Sequence, residues 1–88
     1  VEAVPKTVHI TIRLFAAHRE AAGTPTVTME VPDGTTAAAA FDLLCAQQPG
    51  LRTAAARVAF AVNQTQTTAG HVLHEADELA VLPPMAGG

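Results

Sequence analysis

Val8-His9-Ile10-Thr11-Ile12-Arg13-Leu14-Phe15 alternates strictly at first, with Val8, Ile10, Ile12 and Leu14 on one side and His9, Thr11 and Arg13 on the other. A period of two predicts a half-buried strand. Beyond it, Ala16 to Ala22 is helix-compatible for one or two turns and is closed by Gly23 and Pro25, residues that end helices and open turns. Val27, Met29 and Val31 then alternate with Thr26, Thr28 and Glu30 in a second strand, which stops at Pro32-Asp33-Gly34. The two strands can pair antiparallel.

Either Thr35 or Thr36 can cap a helix through its hydroxyl, and the run from Ala37 to Gln48 carries good helix formers before Pro49-Gly50. Ala37, Ala40, Phe41, Leu44, Cys45 and Gln48 recur at helical spacing, which predicts a stripe packed on the sheet. Val58, Phe60 and Val62 alternate with alanines, Asn63-Gln64 reads as a turn into a weak strand near Thr65 to Thr67, and Glu78 to Leu82 reads as a last strand after a turn at Glu75-Ala76-Asp77. Strand, strand, helix, strand, short strand, strand predicts an α+β roll: a mixed sheet of about five strands packed on one main helix.

The chain has 88 residues, 49% of them apolar, which suits one core and one domain. Residues 1–82 are expected to form that domain, with residues 1–7 as a candidate disordered lead, and residues 83–88 to protrude from it as a flexible tail. No apolar run approaches the roughly 20 residues of a membrane-spanning helix. With no basic start leading into an apolar stretch, the expected location is the cytoplasm. The net charge is −3 and the five Lys and Arg are scattered, with no Tyr or Trp for base stacking, so nucleic acid is not an expected partner. Cys45 is the only cysteine, which excludes an internal disulfide, and its place on the helix's apolar side points to an inert thiol.

Pro83 and Pro84 lack backbone N–H groups, so the ladder cannot continue past Leu82 and the chain leaves the sheet there. Met85-Ala86-Gly87-Gly88 follows, and two glycines without side chains can thread a narrow channel. Taken alone, Gly-Gly is as readily a loose terminus. Led by Pro-Pro after this body, it resembles the end of the ubiquitin-like β-grasp sulfur carriers, the MoaD/ThiS family, and most resembles the small-subunit branch of molybdopterin synthase. Leu14-Phe15-Ala16-Ala17-His18-Arg19-Glu20-Ala21-Ala22-Gly23 is similar to that family's first-strand exit. Ala61-Val62-Asn63-Gln64 is similar to its third-strand exit, and Ala76-Asp77-Glu78-Leu79 to the turn before its last strand. Ala76 stands where Gly is common, and Gln66 where some members carry an aliphatic residue facing the large subunit.

The resemblance implies a ubiquitin-like β-grasp roll and a carrier that is not catalytic alone. Gly88 would be adenylated with ATP by a ubiquitin-activating-like adenylyltransferase and thiocarboxylated from a sulfur donor protein. The product would deliver sulfur to cyclic pyranopterin monophosphate in the large subunit of molybdopterin synthase, the small subunits lying at the outer ends of a heterotetramer. Pro83, Pro84, Met85, Ala86 and Gly87 would insert with it, and no cofactor would be bound permanently. Sulfur carriers for thiamine, cysteine or tRNA thiolation, and a ubiquitin-like protein modifier, share the same end. Leu82 is expected to point away from the face of Leu79 and Val81 and to help dock a partner. Arg19 matches the family's Arg-Glu position and is a second docking candidate against the ordinary reading of a solvated arginine. His71 and His74 lack a third ligand and an evident helix, so no metal is expected. Asn63-Gln64-Thr65 fits a glycosylation sequon, but a hairpin turn is the simpler reading.

Overall fold

The computed structural model describes residues 6–51 and 58–82. Among these residues the named elements are, in order, β1 (Thr7–Leu14), α1 (Ala16–Ala22), β2 (Thr26–Pro32), α2 (Ala37–Gln47), β3 (Ala59–Val62), β4 (Thr65–Thr67) and β5 (Glu78–Leu82). The sheet starts one residue before the apolar alternation does, because Thr7 pairs with Pro32 and the Lys6 carbonyl accepts from Asp33 N–H at 2.9 Å. Lys6 and Thr7 therefore belong to the body.

The five strands form one sheet in the order β2-β1-β5-β3-β4. β1 runs antiparallel to β2 and parallel to β5, while β3 is antiparallel to both β4 and β5. The registers place Ile12 beside Leu79, Leu14 beside Val81, and Phe60 and Val62 opposite Val81 and Leu79. With alternation fixed by the pleat, these side chains share one face. α2 lays Ala37, Ala40, Leu44 and Cys45 into the same buried cluster, where the small alanines permit close approach.

Thr36 caps α2, its hydroxyl oxygen accepting from Ala39 N–H at 3.2 Å. Two further N–H groups of the first turn are met by the loop after β4: Ala37 N–H donates to His71 O at 2.9 Å and Ala38 N–H to Ala69 O at 3.0 Å. Those bonds, with Leu73 N–H to Thr35 O at 2.9 Å, hold the loop down and bury Leu73 completely. The β3–β4 connection is the two residues Asn63-Gln64, both at positive φ (52° and 72°), the backbone of a type I′ hairpin turn.

The turn before β5 is anchored twice. Ala76 N–H donates to His9 O at 2.7 Å and Thr11 N–H to Asp77 O at 3.0 Å, which fixes β5 against β1. On the other flank, Asn63 Nδ2 donates to Asp77 Oδ1 and Glu78 N–H donates to Asn63 Oδ1, each at 3.0 Å. β5 thus enters the middle of the sheet in a defined register and ends beside the termini of β1 and β3.

Candidate functional site

Leu82 pairs with Ala59, the first residue of β3, and stands one step beyond the Leu14–Val81 pair. Leu79 and Val81 are fully buried, while Leu82 is half-buried, as alternation requires of a residue on the opposite face. Phe15, Ala59 and Leu82 supply apolar surface at this end of the sheet, and the next row across the same face reads Arg13, Ala80, Ala61 and Gln66. Ala61 is only 8% exposed yet lies outside the core cluster, consistent with its place on the outer face.

Arg13 is the charged residue of that row. Its guanidinium carbon lies 5.4 Å from the centroid of the Phe15 ring, and Nη1 lies 3.7 Å from Glu78 Oε1. Arg19 sits on α1, which begins immediately past the end of β1, so it falls at the same end of the sheet as Leu82. It is exposed, and its carbonyl accepts from Gly23 N–H at 2.9 Å. Gly23 takes φ 76°, the left-handed cap that its sequence position suggested. The remaining site residues read from the sequence, Pro83, Pro84, Met85, Ala86, Gly87 and Gly88, lie outside the described residues.

The neighbour of Arg19 is a residue that sequence reasoning missed. His18 is fully buried, neither ring nitrogen meets a hydrogen-bond partner among the described residues, and burial lowers its pKa. Its ring packs edge-on to Phe41 of α2, and Phe41 packs against Phe60 of β3 with centroids 6.2 Å apart. The signal was present in the spacing: His18 and Ala22 stand four apart on one helical face, and Ala22 packs on the core.

At the opposite end of the sheet, Val62, Asn63, Thr65, His71, His74 and Asp77 line part of an open cavity of about 400 Å³. Asp77 is committed to Asn63 and to His74 N–H, which donates to Oδ2 at 2.8 Å. Glu75 accepts from His9 N–H at 2.9 Å, the main cause of its lowered pKa. Both carboxylates thereby brace the turn. Among the described residues, no group of three or more His, Cys, Asp or Glu is placed to hold a metal ion, and no helix is long and apolar enough to cross a membrane.

A mixed five-stranded sheet with β1 and β5 parallel at its centre, the short α1 after β1 and the main helix α2 packed on the sheet, defines a ubiquitin-like β-grasp domain. The chain belongs to the ThiS family, whose profile matches residues 12–88. It is 37% identical over 82 residues to the molybdopterin synthase sulfur carrier subunit of Arabidopsis thaliana, covering 93% of this chain and 85% of that protein. It is 38% identical over 82 residues to the subunit of the same name from Mycobacterium tuberculosis, covering 92% and 99%. Among solved structures, Haloferax volcanii small archaeal modifier protein 1 superposes with a TM-score of 0.81 at 28% identity, over 89% of this chain and 99% of that one. The fold is also that of a chain in the complex of subunits 1 and 2 of the Helicobacter pylori molybdopterin-converting factor, with a TM-score of 0.64 at 18% identity, over 92% and 100%.

Proposed function

We propose that this chain is a sulfur carrier of molybdenum cofactor biosynthesis, with the Gly88 carboxylate as its working group. A carboxylate does not exchange oxygen for sulfur unaided, because its resonance and charge repel a nucleophile. Attack of the Gly88 carboxylate on the α-phosphate of ATP releases pyrophosphate and leaves an acyl adenylate, whose AMP is a good leaving group. A persulfide sulfur then displaces AMP. A thiol reduces the resulting S–S bond, and Gly88 is left as a thiocarboxylate. The adenylyltransferase and the sulfur donor supply that chemistry. In the large subunit of molybdopterin synthase the thiocarboxylate would deliver its sulfur to cyclic pyranopterin monophosphate.

The observation that carries this reading is the match to sulfur carrier subunits over nearly the whole of both chains. The position of Leu82 supports it. A strand that ends in the middle of its sheet, followed by Pro83-Pro84, releases the chain away from the ladder. Pro83 to Gly87 then serve as the segment that enters the partner, and Leu82 and Arg19 as contacts beside it. The large subunit as partner has its precedent in the Helicobacter pylori complex of subunits 1 and 2. A ubiquitin-like protein modifier is the second reading, and the likeness to an archaeal modifier protein favours it.

The test is the intact mass of the chain after incubation with ATP, a sulfur donor and its cognate activating enzyme. A gain equal to the difference between sulfur and oxygen, localised to Gly88, is expected of a carrier. No gain, where a control carrier is converted, refutes sulfur transfer. Gly88 found joined to lysines of other proteins would establish the modifier.

A further inference from the structure

Six residues carry the chain from Leu82 to Gly88. An extended chain advances at most about 3.6 Å per residue, so a protein that holds Gly88 must approach within about 20 Å of Leu82. The outer sheet face beside Leu82 lies inside that radius. Arg13 is the register neighbour of Ala80, two residues before Leu82. Strand spacing and rise place its Cα about 8 Å from that of Leu82.

Arg13 is held but not saturated. Phe15 lies under the guanidinium at 5.4 Å and Glu78 flanks Nη1 at 3.7 Å, a distance that is an ion pair and too long for a hydrogen bond. The two side chains remain 43% and 35% exposed. An arginine carries five N–H donors, and among the described residues those of Arg13 meet no hydrogen-bond acceptor. Ala80 and Ala61 occupy the next two strands in its row, so among the described residues of that row no tall side chain stands between Arg13 and an approaching surface on that flank. Phe15, Ala59 and Leu82 add apolar ground. An arginine among aromatic and small apolar residues has the composition of a binding hot spot, and one already oriented loses little side-chain freedom on docking.

We propose that Arg13 is a specificity-determining contact of this face and reads a carboxylate on the large subunit that receives the tail. The inference rests on the carrier reading above. The acid meets the edge of the guanidinium that Glu78 leaves free, and its apolar surroundings cover the ground around Leu82. The pair then discriminates between the cognate large subunit and one that lacks the acid.

The test is a calorimetric titration of the cognate large subunit of molybdopterin synthase with the wild-type chain, Arg13→Gln, Arg13→Glu and the charge swap Arg13→Glu/Glu78→Arg. Sulfur loading of Gly88 is measured on each variant in parallel. Arg13→Gln is expected to weaken binding about tenfold and Arg13→Glu about a hundredfold. Sulfur loading is expected to be unchanged, which also shows that the variants are folded. The charge swap should stay weak, because the partner's acid still faces Glu at position 13. Equal affinity of wild type and Arg13→Glu overturns the proposal. Recovery in the charge swap also overturns it, by showing that Arg13 acts only through Glu78. Lost sulfur loading with large-subunit binding intact overturns it in favour of the activating enzyme as the reader of Arg13. If the wild-type chain itself fails to bind the large subunit, the carrier reading falls together with the inference.

Discussion

The His18 ring stands edge-on to the Phe41 ring, with centroids 5.6 Å apart and planes at 87°, and this contact joins α1 to α2. An imidazole always carries at least one N–H donor, and leaving it unbonded in the core costs about 1–3 kcal/mol. His18→Leu, of similar volume, is expected to raise stability by about 1–2 kcal/mol. Chemical denaturation at pH 7 measures it, and a loss would show that the ring's contact with Phe41 outweighs its unmet polarity.

The same residue makes stability depend on pH. Its folded pKa is lowered from 6.5 by burial. Between that depressed value and 6.5 the unfolded chain binds more protons than the folded one, so the fold carries no protonation penalty from His18 above about 6.5 and loses stability as pH falls through the window. Subtracting the stability profile of His18→Leu from that of wild type should show this slope below pH 6.5 and a flat line above. A slope of opposite sign would mean that His18 is stabilised as the cation.

Asn63 couples the hairpin to the last strand through both atoms of its amide. Asn63→Ala removes two hydrogen bonds and places a Cβ without side-chain compensation at φ 52°, so a loss of about 2–3 kcal/mol is expected. Asn63→Gly loses the bonds but relieves the backbone and should fall by about 1 kcal/mol less. Urea midpoints of the two variants distinguish the contributions. Equal losses would mean that the turn carries no strain.

Ala76 occupies φ 69° in the turn before β5, a conformation that costs an alanine about 1 kcal/mol. Ala76→Gly is expected to raise the denaturation midpoint slightly, by about 0.5–1 kcal/mol of stability after the greater unfolded-state entropy of glycine is counted. A destabilised variant would mean that the methyl group makes a packing contribution larger than the strain.

Leu82→Asp is expected to weaken binding to the large subunit at least about tenfold, and Arg19→Ala by a few-fold, with thermal stability close to that of wild type. Leu82 pairs only at the end of β5 and Arg19 is exposed, so neither change opens the core. Calorimetric titration beside a thermal melt separates docking from folding.

Much of the architecture was readable from local pattern. The alternation of Val8 to Leu14, the helical stripe from Ala37 to Cys45 and the turn residues at Pro32 to Gly34 each report a neighbour two to four residues away, and each appears where the pattern placed it. The placement of β5 between β1 and β3 is different in kind. It joins residues more than sixty positions apart, such as Thr11 and Glu78, and no short-range period encodes that pairing. Leu73 went unnoticed for the same reason: its burial depends on the hydrogen bond to Thr35 across the head of α2 rather than on any periodicity of its own. Around the strand exit, the outward direction of Leu82 was legible from alternation, whereas the seat of Arg13 between Phe15 and Glu78 required the parallel register.

The central position of β5 also bears on how the protein is made. Of the described strands it is synthesised last, yet it separates β2-β1 from β3-β4. Before residues 78–82 arrive, those are two unjoined ribbons with open edges, neither of which is stable alone. The fold must therefore be completed by insertion, late and from the C-terminal side, with the pairing that joins the two ribbons deferred to that step. The sheet face around Leu82, which joins residues of β1, β5 and β3, therefore exists only once that step is complete.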